Sequence, residues 1–190
     1  NLLDYPGING IVVTSRDVSE RKRAQEALHA SEAKYQSIFD TTGTGMLIVE
    51  EDMTISLVNA EFEKITGYAR QEIEGKRKWT EFVHHDDLEW MISQHKLRRS
   101  SDVNLAKKSY EFRLRSQNGQ LKSIYLTIDL IAGTQKSVAS LLDITEQKKA
   151  EKARQESEQM IKGILAAAPV GIGLTIARKI KWINATWMQM

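Results

Sequence analysis

A long internal repeat constrains this chain more than any other feature. Residues 16–28 (RDVSERKRAQEAL) return as residues 142–154 (LDITEQKKAEKAR), with Asp17 on Asp143, Ser19 on Thr145, Glu20 on Glu146, Lys22 on Lys148 and Ala24 on Ala150, an offset of 126 residues. The same offset puts Ser31-Glu32 on Ser157-Glu158, Ile38 on Ile164 and Gly45 on Gly171. Further on, residues 56–65 (SLVNAEFEKI) resemble residues 181–190 (KWINATWMQM), with Asn59-Ala60 on Asn184-Ala185; the offset there is 125, which implies one residue deleted in the preceding turn. Repeats are read before secondary structure because they decide the fold. A period this long is a whole domain and not a solenoid unit. The chain is therefore expected to hold the strand remnant of a preceding domain (1–17), a connecting helix (18–39), a complete domain (40–143), a second connecting helix (144–165) and the opening of a third copy (166–190). It begins in what reads as a strand and stops in what reads as a helix, so both ends are expected to be cuts in a longer protein.

Composition narrows the function classes. Apolar content of 41% and charged content of 27% are ordinary for a globular protein. A net charge of +2, with basic residues scattered among acids, lacks the footprint of a nucleic-acid binder, so no nucleic acid is expected as a partner. The chain has no cysteine, which excludes disulfides, thiolate metal sites and a nucleophilic thiol from it. No apolar run approaches the roughly 18–20 residues that span a bilayer, so no membrane contact is expected within this segment. A cytoplasmic location is expected, with membrane anchoring of the parent left open. There is no phosphate-cradling glycine loop and no nucleophile motif, and His29 lacks the surroundings of a kinase phospho-acceptor. The segment is read as non-catalytic.

Periodicity outlines the complete copy. Asp17 or Ser19 is placed to cap a helix running to about Phe39. Its least polar stripe, Ala24, Leu28, Ser31, Tyr35 and Ile38, repeats as Ala150, Arg154, Ser157, Ile161 and Ile164. That heptad-like seam is read as a parallel homodimer contact, against the plainer reading of a solvated connecting helix. Residues 45–49 and 55–59 flank the polar turn Glu50-Glu51-Asp52 as a hairpin. A short helix follows from Ala60 to Ile65 with Gly67 as its stop, then a helical turn from Arg70 to Glu74. Asp86 and Asp87 are expected to cap a longer helix to about Arg98, with Leu88, Met91, Ile92 and His95 inward. Alternation at Tyr110, Phe112 and Leu114, the Asn118-Gly119 turn, and alternation at Ile124, Leu126, Ile128 and Leu130 read as a second hairpin. A last strand spans 137–142. This order predicts an α+β domain with one antiparallel sheet covered on one face by helices.

The ordered set SEAKYQSIFD, GMLIV, LVNAEFEKITGY, WTEFVHHDDLEWM, YEFRLRSQNGQLKSIYLTIDLI and LLDITEQKKAE resembles the PAS family. Asp143-Ile144-Thr145 matches the family's Asp-X-Thr motif at the exit of the last strand, and Asp17-Val18-Ser19 is its counterpart one copy earlier. Residues 84–87 (HHDD) depart from the family's usual His-Pro-Glu-Asp. The resemblance implies a five-stranded antiparallel sheet of order 2-1-5-4-3, with a small pocket between sheet and short helices. It also implies sensing or dimerisation upstream of an output domain, most often a histidine kinase or a cyclic-dinucleotide enzyme. First and last strands are neighbours in this fold, so the strand expected over 9–17 is expected to pair with those over 170–175 and 179–184.

The ligand-pocket candidates are Met46, Ile48, Phe62, Ile65, Trp79, Phe82, His95, Phe112 and Leu126, against the plain reading that they fill a core. Arg113 is the best charged candidate to meet a ligand acid, although its alternation aims it outward. The flavin photosensors and coumaroyl-binding members need a cysteine, so Cys-dependent flavin photochemistry is excluded here. Haem-sensing members need an axial histidine about one turn before His95, so haem is not expected. His84 and His85 beside Asp86 and Asp87 suggest a metal site, but neighbours in a turn are expected to point apart, and no metal is assigned. Asp143 and Thr145, with Asp17 and Ser19 before them, are the signalling candidates. The function read from all this is a sensory or relay module, with no cofactor assigned, passing ligand- or partner-induced change through helical linkers to neighbouring PAS and output domains. Two alternatives stand beside it: a structural dimerisation spacer without ligand, and a haem- or flavin-bound redox or gas sensor.

Overall fold

The protein is described by a computed structural model covering residues 19–100 and 103–188. These divide into two units, one ending at Gly43 and the other starting at Thr44. The first contributes a single helix, α1 (Ser19–Thr41), whose apolar residues Leu28, Tyr35 and Ile38 are all exposed. Ser19 is its first residue. Asp17, the side chain of Ser19 and the strand expected over 9–17 lie outside the described residues, and so does the pairing expected for that strand.

The second unit opens with β1 (Gly45–Val49) and β2 (Ile55–Val58), then α2 (Ala60–Thr66), α3 (Arg70–Ile73), a 3-10 turn at Trp79–Phe82, and α4 (His85–Arg98). After a 3-10 turn at Val103–Leu105 come β3 (Ser109–Arg115), β4 (Leu121–Leu130) and β5 (Ser137–Asp143). All neighbours in the sheet are antiparallel, and their order is β2-β1-β5-β4-β3. The expected fold class, α+β with strand order 2-1-5-4-3, is the one observed. The Asn118-Gly119 turn is looser than a two-residue hairpin. Residues 116–120 join the paired ends Arg115 and Leu121, and of that dipeptide only Gly119 takes a positive φ (80°).

Alternation along the strands separates two faces. Leu47, Val49, Phe112, Leu114, Ile124, Leu126, Ile128, Ala139 and Leu141 are buried on one of them. There they meet Phe62 and Ile65 of α2, Ile73 of α3, Phe82 and Met91. Gly45 permits the closest approach, because a Cβ there would stand 2.9 Å from Ile65 Cδ1 and 3.2 Å from Phe62 Cα. Gly67 ends α2 at φ 82°, its amide donating to the Glu63 carbonyl at 2.7 Å.

Both sheet edges are closed. Along β2 the Ile55 amide donates to the Arg77 carbonyl (3.0 Å), the Gly75 amide donates back to the Ile55 carbonyl (2.8 Å), and the Val58 amide donates to Glu74 Oε1 (2.9 Å). Along β3 the His84 amide donates to the Arg113 carbonyl (2.8 Å) and the Arg113 amide to Asp87 Oδ2 (2.8 Å). Covered edges of this kind do not recruit foreign strands.

Beyond β5 the chain continues as α5 (Thr145–Ala167) and a second hairpin, β6 (Gly173–Ile176) with β7 (Lys179–Ile183), followed by α6 (Ala185–Met188). Its register reproduces that of β1 and β2. Leu47↔Val58, Ile48↔Leu57 and Val49↔Ile55 correspond to Gly173↔Ile183, Leu174↔Trp182 and Thr175↔Ile180, each hairpin with its irregularity between equivalent residues. The deleted residue of the third copy lies in the connection between these strands. Among the described residues β6 pairs with β7 alone.

Candidate functional site

Between the buried sheet face and the helices lies a cavity of about 50 Å³. Six of the nine candidates line it: Phe62, Trp79, Phe82, His95, Phe112 and Leu126. Met46 and Ile48 do not, because β1 presents Leu47 and Val49 to the cavity and turns its alternate residues to the opposite face. A strand that is apolar at every position hides its phase, and this placed the wrong pair inward. Ile65 is buried in the core beside Gly45 but is not part of the lining.

The cavity is apolar except at the end formed by the last turns of α4. His95 is only 4% exposed, with its Nε2 3.0 Å from the Glu51 carbonyl and its Nδ1 3.1 Å from Arg99 Nη1. A carbonyl accepts and a guanidinium donates, so these partners select the neutral Nε2–H tautomer. Burial pushes the His95 pKa below its ordinary value, and the Arg99 and Arg98 charges push it the same way against the Glu51 hydrogen bond. Arg99 then spreads its donors over the Gln135 carbonyl (3.0 Å), Ser137 Oγ (3.0 Å) and the His95 carbonyl (3.1 Å), tying α4 to the start of β5.

Arg98 also lines the cavity and is 2% exposed, its Nη2 donating to the Lys107 carbonyl at 2.7 Å. Beside it lies Tyr110, whose hydroxyl pKa burial raises while Arg98 opposes the shift by charge and hydrogen bonding. Neither residue stood among the sequence candidates. The signal for Arg98 was nonetheless legible: Met91, His95 and Arg98, spaced four and three, form the buried stripe of α4.

Arg113 faces away from the cavity, as its alternation implied. Its Nη2 and Nε meet Asp87 Oδ1 and Oδ2 at 2.7 and 3.0 Å, and Nη2 reaches Asp86 at 3.0 Å. The hydrogen bond from Arg113 holds the Asp87 carboxyl below the usual range despite partial burial. The expected capping by Asp86 and Asp87 is thereby replaced: His84 is the cap, its Nδ1 accepting from the Asp86 amide at 3.4 Å. The His84 and His85 rings do not point apart either; their centroids lie 4.2 Å apart with the planes tilted by 39°, and with Asp86 they place one ligand atom each within 4.8 Å of one another. The Asp86 carboxylate is already engaged there by the Arg113 cation.

At the exit of the sheet the Asp-X-Thr residues form a clasp. Asp143 Oδ1 accepts from the Thr145 amide (3.0 Å) and hydroxyl (2.5 Å), while Asp143 Oδ2 lies 3.3 Å from Lys122 Nζ on β4. Thr145 Oγ1 in turn accepts from the Ser123 amide (2.9 Å), and the Ile144 amide donates to the Ser123 carbonyl (2.9 Å). Burial alone would raise the Asp143 pKa, but the Thr145 and Lys122 hydrogen bonds outweigh it and hold the carboxyl below its usual range. One turn on, Lys148 pairs with Glu111 of β3. The start of α5 is thus fastened to β4 and β3.

A haem or a flavin does not fit these residues. The space of about 50 Å³ is far below the ~300–1,000 Å³ of pockets for drug-sized ligands, and both His95 nitrogens are engaged.

Residues 55–145 match the family model described as the PAS fold. Among curated proteins, the cell-division control histidine kinase PdhS of Brucella ovis is 29% identical over 144 residues, 74% of this chain and 14% of that protein. The same enzyme from Brucella canis matches to the same extent, so the chain spans about a seventh of these relatives. The PAS domain of an HTR-like protein from Haloarcula marismortui superposes with a TM-score of 0.52 at 20% identity, covering 65% of this chain and all of that domain. A PAS domain from Colwellia psychrerythraea does so with a TM-score of 0.54 at 19% identity, covering 60% and 97%. The sheet order agrees with these matches, and the central domain of this chain has the PAS fold.

Proposed function

We propose that the domain is a sensory relay module of a longer signal-transduction protein, its output domain being a histidine kinase that lies outside this segment. The observation that carries this reading is the continuity between cavity and exit. Leu126 and Ile128 of β4 and Ala139 and Leu141 of β5 line the cavity, and the same two strands supply Lys122, Ser123 and Asp143 to the clasp on α5. A ligand that shifts β4 against β5 alters the clasp directly. The clasp has the size of a switch, since capping bonds contribute about 1 kcal/mol and small differences move a two-state population.

The exposed Leu28, Tyr35 and Ile38 on α1, and Ile161 and Ile164 on α5, support a parallel homodimer of connecting helices as the route onward. The same reading puts the module in the cytoplasm, with catalysis left to the output domain.

The test is autophosphorylation of the longer protein carrying Asp143→Ala or Thr145→Val. Output is expected to change by about fivefold, the equivalent of ~1 kcal/mol, with the domain still folded. Unchanged output from a folded variant would overturn the relay reading and favour a spacer.

A further inference from the structure

Arg98 is the one guanidinium among the described residues that is both nearly sealed from solvent and part of the cavity wall. It makes no ion pair among the described residues; its hydrogen bonds go to uncharged partners, the Lys107 carbonyl and the Tyr110 hydroxyl. The nearby Asp129 carboxylate is engaged by Lys108 at 2.6 Å. Around this end stand further donors and cations: Arg99, the Tyr110 hydroxyl and the neutral His95. Burial and, after it, the Arg98 charge hold Arg99 below its ordinary pKa against the pull of Glu51. A buried charge without an opposite charge is costly, and a carboxylate relieves that cost best because it matches the guanidinium fork.

The rest of the wall is hydrocarbon, with Phe62, Phe82, Met91 and Leu126 facing the same space. A ligand suited to it carries one anionic head and a very short apolar tail. Size sets the upper bound. A cavity of about 50 Å³, set against the ~10–15 Å³ that one ordered water needs on the same measure, has room for only about four heavy atoms.

We propose that the cavity takes a short aliphatic monocarboxylate, its head held by the Arg98 guanidinium and the Tyr110 hydroxyl and its tail among the core side chains. This rests on the sensory reading above and names the ligand class of that same cavity. Arg113, the cation that alternation on β3 brought forward for a ligand acid, is bound to Asp87 on the other side of the sheet, and Arg98 takes its place.

The experiment is titration of the 190-residue chain with sodium acetate and, separately, with acetamide, its neutral isostere. Calorimetry and line broadening of 13C-labelled ligand are the readouts, at constant ionic strength. Acetate is expected to bind at least about tenfold more tightly than acetamide, a lead of the size that charge-assisted hydrogen bonds confer. Arg98→Lys, which keeps the charge and loses the fork, is expected to remove most of that lead. Tyr110→Phe, a milder change that guards against misfolding of the first variant, is expected to weaken acetate severalfold and leave acetamide unmoved. Equal binding of the two ligands, or full acetate affinity in Arg98→Lys, overturns the carboxylate assignment while leaving the sensory reading intact. Binding of neither also overturns the assignment, and the relay reading then stands or falls on the Asp143 variants alone.

Discussion

Asn59 and Asn184, one domain repeat apart, share three corresponding hydrogen bonds. Asn59 Oδ1 accepts from the amides of Met46 (2.8 Å) and Phe62 (3.0 Å), and its Nδ2 donates to the Thr44 carbonyl (2.9 Å). Asn184 Oδ1 accepts from Ile172 (2.9 Å) and Trp187 (3.1 Å), and its Nδ2 donates to Val170 (2.9 Å) and to Leu165 (3.1 Å). Each carboxamide caps a helix while fastening the start of the first strand to the end of the second. No other side chain of this length offers both an acceptor for the cap and a donor for the carbonyl without a charge.

Replacing Asn59 by Ala is therefore expected to cost about 3 kcal/mol, from a lost cap and buried backbone groups left without partners. The central transition should fall by roughly 12–24 °C, the scale for a domain of about 100 residues. Asn184→Ala should leave that transition in place and abolish hydrogen-exchange protection only in β6 and β7. Calorimetry with exchange mass spectrometry separates the two; a shared transition would show that the hairpin is part of the central cooperative unit.

Gly45 tests the packing of α2 on β1. A Cβ at that position meets Ile65 Cδ1 at 2.9 Å, so Gly45→Ala is expected to cost about 1–3 kcal/mol through overpacking. Ile65→Val removes the atom in question and by itself costs about 0.5–1.5 kcal/mol. The double variant is expected to be more stable than the two single costs combined allow. Strict additivity in denaturant titrations would place the strain on the Phe62 backbone instead.

Strand and helix positions were legible because two-residue and 3.6-residue periods persist through β3, β4 and α4, whereas the strand order came only with the family resemblance, since a period does not say which strands pair. Phase was not legible in β1, where GMLIV is apolar throughout, so Met46 and Ile48 were assigned inward although Leu47 and Val49 hold that face. Contacts between distant segments were equally hidden. Nothing near residues 86–87 announces that Asp87 will bond to Arg113, 26 positions on, in place of capping its own helix. Arg98 lay on a readable stripe, but charged residues are so seldom buried that the stripe was cut short at His95. The Asp143–Thr145 clasp was legible as a motif, while its partners Lys122 and Ser123 come from the neighbouring strand.

The Asp87–Arg113 pair holds the start of α4 against the outer edge of β3. Asp87→Ala removes a bidentate partner and an acceptor for the Arg113 amide together, whereas Asp87→Asn keeps an acceptor. The Ala variant is expected to be the less stable and to expose the β3 edge, read as faster exchange at the Arg113 amide. The Asp87 carboxyl has a depressed pKa in the folded state, so its contribution is present above the unfolded value near 3.9 and is lost as pH falls through the folded one. The difference between wild type and Asp87→Asn should accordingly shrink below about pH 4. A difference that stays constant to pH 3 would assign the stabilisation to packing and not to the ion pair.

His95 gives the protein a second and opposite feature near neutral pH, because its charged form is the one the fold rejects. Its Nδ1 already accepts from Arg99, so a proton added there turns an acceptor toward a guanidinium, with burial and Arg98 also disfavouring the charge and the Glu51 hydrogen bond and the Asp52 charge opposing them. Trp79, 5.8 Å away, offers a ring and no counter-charge. The folded pKa lies below the unfolded value near 6.5, so the unfolded chain binds the proton first. Stability from the neutral ring is complete above about pH 6.5 and is lost as pH falls toward the folded value, by at most about 1.4 kcal/mol per pH unit. His95→Gln, which keeps a donor for the Glu51 carbonyl and cannot titrate, is expected to flatten the melting temperature between pH 5 and pH 7. Wild type and variant following parallel curves through that window would show that His95 stays uncoupled from folding and that another group sets the acid limb.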